Sequence, residues 1–237
     1  MNNGLTSDQL SFLLKAGSDT LPTPMNLRRM RIQHDSHCPL CKAPRSTTAH
    51  ILNGCHIALN QGRYTWRHDS VLSSLFHSLS RLLPPTYKLF ADLDGLRAED
   101  NPPATIPPSV LSTPLRPDLV FQENQNTVRI LELTVPTNTP EGLRNAQDRK
   151  QNKTEYCILL SDLEDKGWTV SYDTIEIGSL GHFTNCTSEA IVRTLPLEHI
   201  QSTNRTLQEA AKTAISCSQQ IFLAHKQLEW NPSRPLI

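Results

Sequence analysis

Two acidic residues lie in otherwise apolar segments, and their spacing indicates a metal-binding carboxylate pair. Both segments are predicted as β-strands, over residues 115–121 and 128–135, joined by a polar stretch suited to a hairpin turn. A hairpin centred on Gln125 places Asp118 directly opposite Glu132 on one face of the sheet. Carboxylates held so close repel each other unless a cation lies between them. The sequence therefore predicts that this pair binds Mg²⁺ or Mn²⁺.

A long helix is predicted over residues 141–166, after the second strand. Residues of one helical stripe recur at spacings of three and four, and they are Leu143, Ala146, Lys150, Lys153, Cys157 and Leu160. Two lysines thus lie on the face that should pack against the sheet. A lysine directed at a carboxylate pair can orient an attacking water and stabilise charge on a phosphate. The alternative is a lysine that extends past the sheet edge or forms a structural salt bridge.

Cysteine and histidine spacing in the first quarter of the chain predicts a zinc knuckle. Cys38, Cys41, His50 and Cys55 form the pattern C-x2-C-x8-H-x4-C. Zinc prefers four thiolate or imidazole ligands in a tetrahedron, and a C-x-x-C turn supplies two of them. A ligand set that uses other nearby histidines stays open, and these are His34, His37 and His56. A structural zinc would also hold together a segment with few apolar residues.

Basic residues are concentrated in the first third of the chain, although the formal net charge is +0. The neutral sum provides no global field to attract nucleic acid, so any attraction must be local. The residues predicted to contact nucleic acid are Arg28, Arg29, Arg31, Lys42, Arg45, Arg67, His68 and Arg116. These side chains near a zinc knuckle are typical of a nucleic-acid-binding face.

The remaining patterns predict an α/β fold with one mixed sheet. Further helices are expected at 8–16, 64–83 and 203–229, and further strands at 87–92 and 168–177, with a proline-rich loop at 101–114. We divide the chain into a leader with the knuckle (1–62), a core (63–185) and a C-terminal helical tail (186–237). Without a charged leader or an apolar run of about 20 residues, we expect a nuclear or cytoplasmic protein that is neither secreted nor in a membrane.

The acidic pair resembles the PD-(D/E)xK nuclease superfamily, since Arg116-Pro117-Asp118 precedes Glu132 and helix lysines follow. Thr134 stands where that superfamily usually has a lysine, so the lysine role would pass to Lys153 or, less surely, to Lys150. The order of motifs is similar to the restriction-like endonuclease at the C-terminus of site-specific non-LTR retrotransposon proteins. The matching residues, in chain order, are the knuckle, Arg67-His68-Asp69, Arg116-Pro117-Asp118, Glu132, and Lys153 with Tyr156.

This resemblance implies a restriction-endonuclease-like core and an Mg²⁺-dependent endonuclease with Asp118, Glu132, Lys153, Lys150 and Tyr156 in the catalytic site. Such an enzyme nicks target DNA and leaves a 3′-hydroxyl that primes reverse transcription of element RNA. Its reverse transcriptase normally lies upstream in the same polypeptide and is missing from this sequence. DNA and element RNA are the expected partners.

Two alternative functions and the role of one motif remain open at this point. The chain could be an inactive zinc-dependent nucleic-acid binder, or a Holliday-junction resolvase that shares the core chemistry. Within the Arg67-His68-Asp69 motif, the residues could contact phosphate or assist the metal site, or Asp69 could only cap its helix.

Overall fold

The computed structural model describes residues 4–124 and 126–231. Its N-terminal quarter consists of short helices around the cysteines. These helices are α1 (Ser7–Gly17), α2 (Pro24–Arg29), a π-helical turn (His50–Gly54) and α3 (His56–Asn60). Helix α1 begins with a capping box, in which Thr6 and Gln9 each satisfy the other's backbone N–H. Helix α4 (Arg63–Ser80) follows and confirms the amphipathic helix predicted at 64–83.

The central sheet has four strands in the order β1-β4-β5-β6. The strands of the molecule are β1 (Lys88–Ala91), β2 (Glu99–Asp100), β3 (Pro103–Ala104), β4 (Leu119–Gln122), β5 (Thr127–Thr134) and β6 (Thr169–Glu176). Strands β1, β4 and β5 are antiparallel, and β6 runs parallel to β5. The predicted mixed sheet is therefore confirmed. The segment predicted as a loop at 101–114 contains β3, which pairs with β2 in a separate ribbon.

The hairpin of β4 and β5 has the predicted register, because Leu119 pairs with Leu131. The expected centre of its turn, Gln125, lies outside the described residues. Strand β4 begins at Leu119 and not at residue 115 as predicted. Pro117 explains the late start, because proline has no N–H to donate to a central strand.

The connection between β5 and β6 contains two helices, α5 (Pro140–Gln151) and α6 (Thr154–Asp165), where one helix was predicted. Asn152 ends α5, and Lys153 takes extended backbone angles before α6 begins. Helices α7 (Asn185–Thr194) and α8 (Thr203–Leu223) complete the chain after β6. Helix α8 confirms the predicted C-terminal helix, whereas α7 was not predicted.

Helices cover both faces of the sheet. Helices α4, α7 and α8 pack on one face through a cluster that includes Leu75, Leu131 and Leu207. Helix α6 packs on the other face, where Leu159 meets Ile130. Asp118 and Glu132 belong by strand alternation to this second face, so the acids lie between the sheet and the α5–α6 connection.

The N-terminal quarter shares a hydrophobic cluster with the end of the chain. Phe12 and Leu52 pack with Ile215, Ile221 and Phe222 of α8 in this cluster. The segments predicted as 1–62 and 186–237 are therefore in direct contact, while the boundaries between the three segments stay predictions. Within the described residues, no helix is both long enough and apolar enough to cross a membrane.

Candidate active site and zinc centre

Asp118 and Glu132 face each other at the start of the β4–β5 hairpin. The Glu132 carboxylate accepts a hydrogen bond from the Asp118 N–H at 3.1 Å, and the Asp118 carboxylate accepts one from the Leu133 N–H at 2.8 Å. Each acid is therefore anchored on the other strand. Both residues are buried, with 9% of Asp118 and 2% of Glu132 exposed. Burial at this level leaves their charge dependent on nearby cations.

Lys150, near the end of α5, supplies a cation to both acids. Its ammonium lies 3.4 Å from Asp118 Oδ2 and donates a short hydrogen bond to Glu132 Oε2. Burial lowers the pKa of Lys150, but the two carboxylates outweigh it and hold that pKa above its ordinary value of 10.5. The predicted convergence of two acids and a helix lysine is thus present, with Lys150 as the lysine.

Lys153, the lysine preferred by the resemblance, does not take this place. It lies in the break between α5 and α6, is exposed, and places its ammonium 5.4 Å from the centre of the Tyr156 ring. The break also shifts the helical phase, so that Tyr156 and Leu159 of α6 are buried while Cys157 is exposed. The assumption of one continuous stripe was wrong for this reason.

Tyr156 contacts the acidic pair directly. Its hydroxyl donates a 2.6 Å hydrogen bond to Glu132 Oε1, and burial followed by the charge of Glu132 raises the pKa of the phenol. The neighbouring Tyr172 packs beside it with ring centres 5.2 Å apart and donates to the Lys150 carbonyl. The two tyrosines thereby hold both Glu132 and the end of α5 in place.

His68, in the second turn of α4, reaches the same site from the other side. Its Nε2 lies 3.5 Å from Asp118 Oδ1, and its Nδ1 lies 3.0 Å from Asp69 Oδ1. Burial lowers the pKa of His68, but the two aspartates outweigh it and raise the pKa to about 10. The pKa of Asp118, which burial alone would raise, is held below 3.8 by His68 and Lys150. Asp69 does not cap α4, which begins six residues earlier at Arg63.

Glu176 is a buried acid that the sequence did not single out. It ends β6 with 1% of its surface exposed, and burial raises its pKa. The Thr187 hydroxyl lies 3.4 Å from its Oε2, and its Oε1 has no hydrogen-bond partner within the described residues. Register with β5 pairs it with Thr134, two residues beyond Glu132. The parallel pairing of β5 and β6 was needed to find it.

The four predicted zinc ligands converge in the N-terminal quarter. One ligand atom of each of Cys38, Cys41, His50 and Cys55 lies within 4.8 Å of the others. The Sγ atoms of Cys38 and Cys55 are 3.9 Å apart, close to the roughly 3.8 Å that two thiolates span in tetrahedral zinc. The alternative ligands are outside this group, and His37 instead pairs with Asp35. Within residues 4–124 and 126–231, no second cluster of three or more such ligands is this tight.

The donor set of three thiols and one imidazole fits zinc, although burial raises the pKa of Cys41 to about 11. Burial raises the pKa of Cys38, but backbone N–H groups of Cys41 and Leu40 outweigh it and lower that pKa below 9.0, which favours the thiolate. Burial lowers the pKa of His50 and so keeps its imidazole neutral, as a metal ligand requires. Tyr64 supports the loop, since its hydroxyl donates to the Ile51 carbonyl and accepts from the Cys55 N–H.

The comparison with protein families agrees with this geometry. Residues 3–61 match the family described as zinc-binding in reverse transcriptase. The match covers all four ligands, and the prediction of a zinc site is confirmed. It ends just before α4, so it carries no information on Asp118, Glu132 or Lys150. No curated protein matches the chain.

Arg67, predicted to contact nucleic acid, is an internal residue. Only 1% of it is exposed, and its guanidinium donates to the Leu52 carbonyl at 3.0 Å, Ser218 Oγ at 3.0 Å, Asn53 Oδ1 at 2.8 Å and the Val135 carbonyl at 3.3 Å. Burial lowers its pKa to about 10. The prediction was wrong because an arginine early in an amphipathic helix has the sequence pattern of a solvent-facing residue.

Of the other predicted nucleic-acid contacts, His68 is half-buried against Asp69 and Asp118, and the remaining six are exposed. These six are Arg28, Arg29, Arg31, Lys42, Arg45 and Arg116. Two of them already have acidic partners, because Arg29 pairs with Asp19 at 3.2 Å and Arg116 lies 3.7 Å from Asp92. A groove of about 730 Å³ is lined on one side by Asn53 and on the other by Asn145, Asp148 and Arg149 of α5, and the acidic pair is not among its lining residues.

Proposed function

We propose that the chain is a divalent-metal-dependent DNA endonuclease of a retroelement, with a restriction-endonuclease-like core. The observation that carries the proposal is the convergence of buried Asp118 and Glu132 on the Lys150 ammonium. Two carboxylates that converge on one point, here the Lys150 ammonium, are also suited to bind Mg²⁺ or Mn²⁺, with waters as the remaining ligands. The family match of residues 3–61 supports a retroelement origin.

Each residue has a role in this proposal. Asp118 and Glu132 hold the cation, which would polarise the scissile phosphate and lower the pKa of a bound water. Lys150 stabilises the negative charge that develops on the phosphate. Tyr156 fixes the Glu132 carboxylate, and His68 fixes that of Asp118.

The DNA would enter along the groove between the zinc segment and α5. Asn53 lies at one wall of this groove, and Asn145 and Arg149 at the other. Arg149 directly precedes Lys150, and the amide and guanidinium groups can donate to phosphate oxygens. Exposed Arg116 and the basic residues near the knuckle extend this contact surface.

The test is nicking of supercoiled plasmid by zinc-loaded protein in Mg²⁺ or Mn²⁺. We expect Asp118→Asn and Glu132→Gln each to lower the nicking rate by at least about 100-fold. Asp162→Asn, an exposed acid of α6, is the matched control and keeps the wild-type rate. Full activity in either active-site variant would refute the mechanism.

A second candidate is a zinc-dependent nucleic-acid binder that does not cut. Lys150 already neutralises the two acids, and the same contacts would be present if the three residues formed only a structural salt bridge. This function predicts DNA or RNA binding that needs zinc but no Mg²⁺, and no nicking by the wild-type protein in any divalent cation.

A further inference from the structure

Arg67 is a buried cation with no carboxylate among its hydrogen-bond partners in the described chain. All four of its hydrogen bonds go to neutral oxygens, and its Nε has no partner within the described residues. A buried charge held only by neutral groups is costly. Each of these partners therefore lowers the cost of burying the guanidinium.

Two of these partners belong to the zinc loop. The Leu52 carbonyl and the Asn53 side chain lie in the π-helical turn His50–Gly54. Zinc ligand His50 begins this turn, and zinc ligand Cys55 directly follows it. Because zinc fixes both ends of the turn, it also fixes the two oxygens that hold Arg67.

Arg67 is connected to the acidic pair once through its side chain and once through its neighbour in α4. Its Nη2 donates to the carbonyl of Val135, which directly follows β5 and lies three residues after Glu132. The next residue of α4, His68, contacts the Asp118 carboxylate. Arg67 therefore joins the zinc loop to the strand that carries one acid and to the side chain that orients the other.

We propose that Arg67 is a positioning residue that couples zinc binding to Mg²⁺ binding at Asp118 and Glu132. The existence of that Mg²⁺ site rests on the proposed function. Zinc orders the turn, the turn holds the guanidinium, and the guanidinium keeps the two acids at the spacing that Mg²⁺ needs. Since linkage between two binding sites is reciprocal, Mg²⁺ must then tighten zinc binding by the same factor as zinc tightens Mg²⁺ binding.

The experiment measures both affinities on purified full chain under reducing conditions. Mg²⁺ affinity is determined by calorimetry on zinc-loaded and zinc-free protein, and zinc affinity by competition with a chromophoric chelator, with and without saturating Mg²⁺. Mg²⁺ does not compete for thiolate ligands, so it reports only through the protein. We expect a change of about 10-fold in both directions, within the usual range of coupling between sites.

Variants of the connection identify Arg67 as its cause. Arg67→Lys keeps the charge but loses the planar guanidinium. Asn53→Ala keeps the arginine and removes the side-chain one of its two contacts with the zinc loop, leaving the Leu52 carbonyl. We expect both to bind zinc and Mg²⁺ with the coupling reduced to less than about 3-fold. Ser218→Ala removes an Arg67 contact with α8, and Ser179→Ala removes the other contact of Asn53, and both should keep the full coupling. If Arg67→Lys fails to fold, Asn53→Ala still decides the question.

The possible outcomes separate this inference from the proposed function. Mg²⁺ binding to wild-type protein that is lost in Glu132→Gln, together with a zinc affinity independent of Mg²⁺, would overturn the coupling and leave the endonuclease intact. No Mg²⁺ binding to wild-type protein would overturn both. If Ser218→Ala lost as much coupling as Asn53→Ala, Arg67 would affect the coupling through its packing in general and not through the zinc loop.

Discussion

Replacing Lys150 by methionine should destabilise the protein and, at the same time, strengthen Mg²⁺ binding. The ammonium lies 3.4 Å from Asp118 and closer to Glu132. At an effective dielectric constant of about 20, one such contact has a Coulomb energy of about 5 kcal/mol, and desolvation of the ammonium offsets part of it. Breaking a buried pair costs about 3–5 kcal/mol, and because Lys150 is 20% exposed we expect a loss near the lower limit, about 3 kcal/mol.

Urea unfolding followed by circular dichroism measures this loss, with zinc-loaded protein and no added Mg²⁺. The matched control is Lys153→Met, which removes an exposed lysine three residues away whose only described side-chain contact is with the Tyr156 ring. We expect the control to lose less than about 1 kcal/mol. Added Mg²⁺ should restore more stability to Lys150→Met than to wild type, because the cation no longer competes with the ammonium for the carboxylates.

The same variant separates binding from chemistry. Lys150→Met should bind Mg²⁺ more tightly and yet nick DNA at least about 100-fold more slowly, since a group that acts in the transition state is lost. Equal destabilisation by Lys150→Met and Lys153→Met, or a weaker Mg²⁺ affinity in Lys150→Met, would refute the assignment of Lys150 to the acidic pair.

Three further predictions concern the other residues of the two sites. The pKa of His68 is raised from 6.5 to about 10. The stabilisation of the folded protein by His68, relative to His68→Gln, should therefore be complete below pH 6.5 and disappear as pH rises through about 10. A difference in unfolding free energy between the two proteins that does not change with pH would contradict this. Tyr156→Phe leaves Glu132 without a buried hydrogen bond and should cost about 2 kcal/mol in urea unfolding, whereas no loss would mean that the 2.6 Å contact is absent in solution. Cys55→Ser should weaken zinc binding in chelator competition by more than the roughly 10–100-fold typical of an outer-shell residue, and an unchanged affinity would remove Cys55 from the ligand set.

Local patterns were enough to predict the β4–β5 hairpin and its register. The alternation of strand residues and the length of the turn place Asp118 opposite Glu132, and both depend on the sequence between residues 115 and 135 alone. The zinc ligands follow in the same way, since C-x2-C and H-x4-C are local spacings. These features lie within short segments, where chain geometry leaves few alternatives.

The other assignments depend either on a helix break that no local motif marks or on contacts between distant segments. The choice between Lys150 and Lys153 turned on a helix break at Asn152, which no proline or glycine marks. Arg67 was misassigned because its partners come from the zinc loop, β5 and α8, up to 151 residues away in the chain. Glu176 was not identified because its relation to Glu132 arises only from the parallel pairing of β5 and β6.

The packing of α8 against the first quarter of the chain has a consequence for synthesis on the ribosome. Phe12 and Leu52 cannot complete their hydrophobic cluster until Ile221 and Phe222 have left the exit tunnel. The apolar side of the zinc loop therefore stays uncovered until α8 has been synthesised, long after the zinc ligands themselves. A premature stop codon upstream of α8 would leave that side exposed to chaperones and proteases, even though every proposed catalytic residue had been translated.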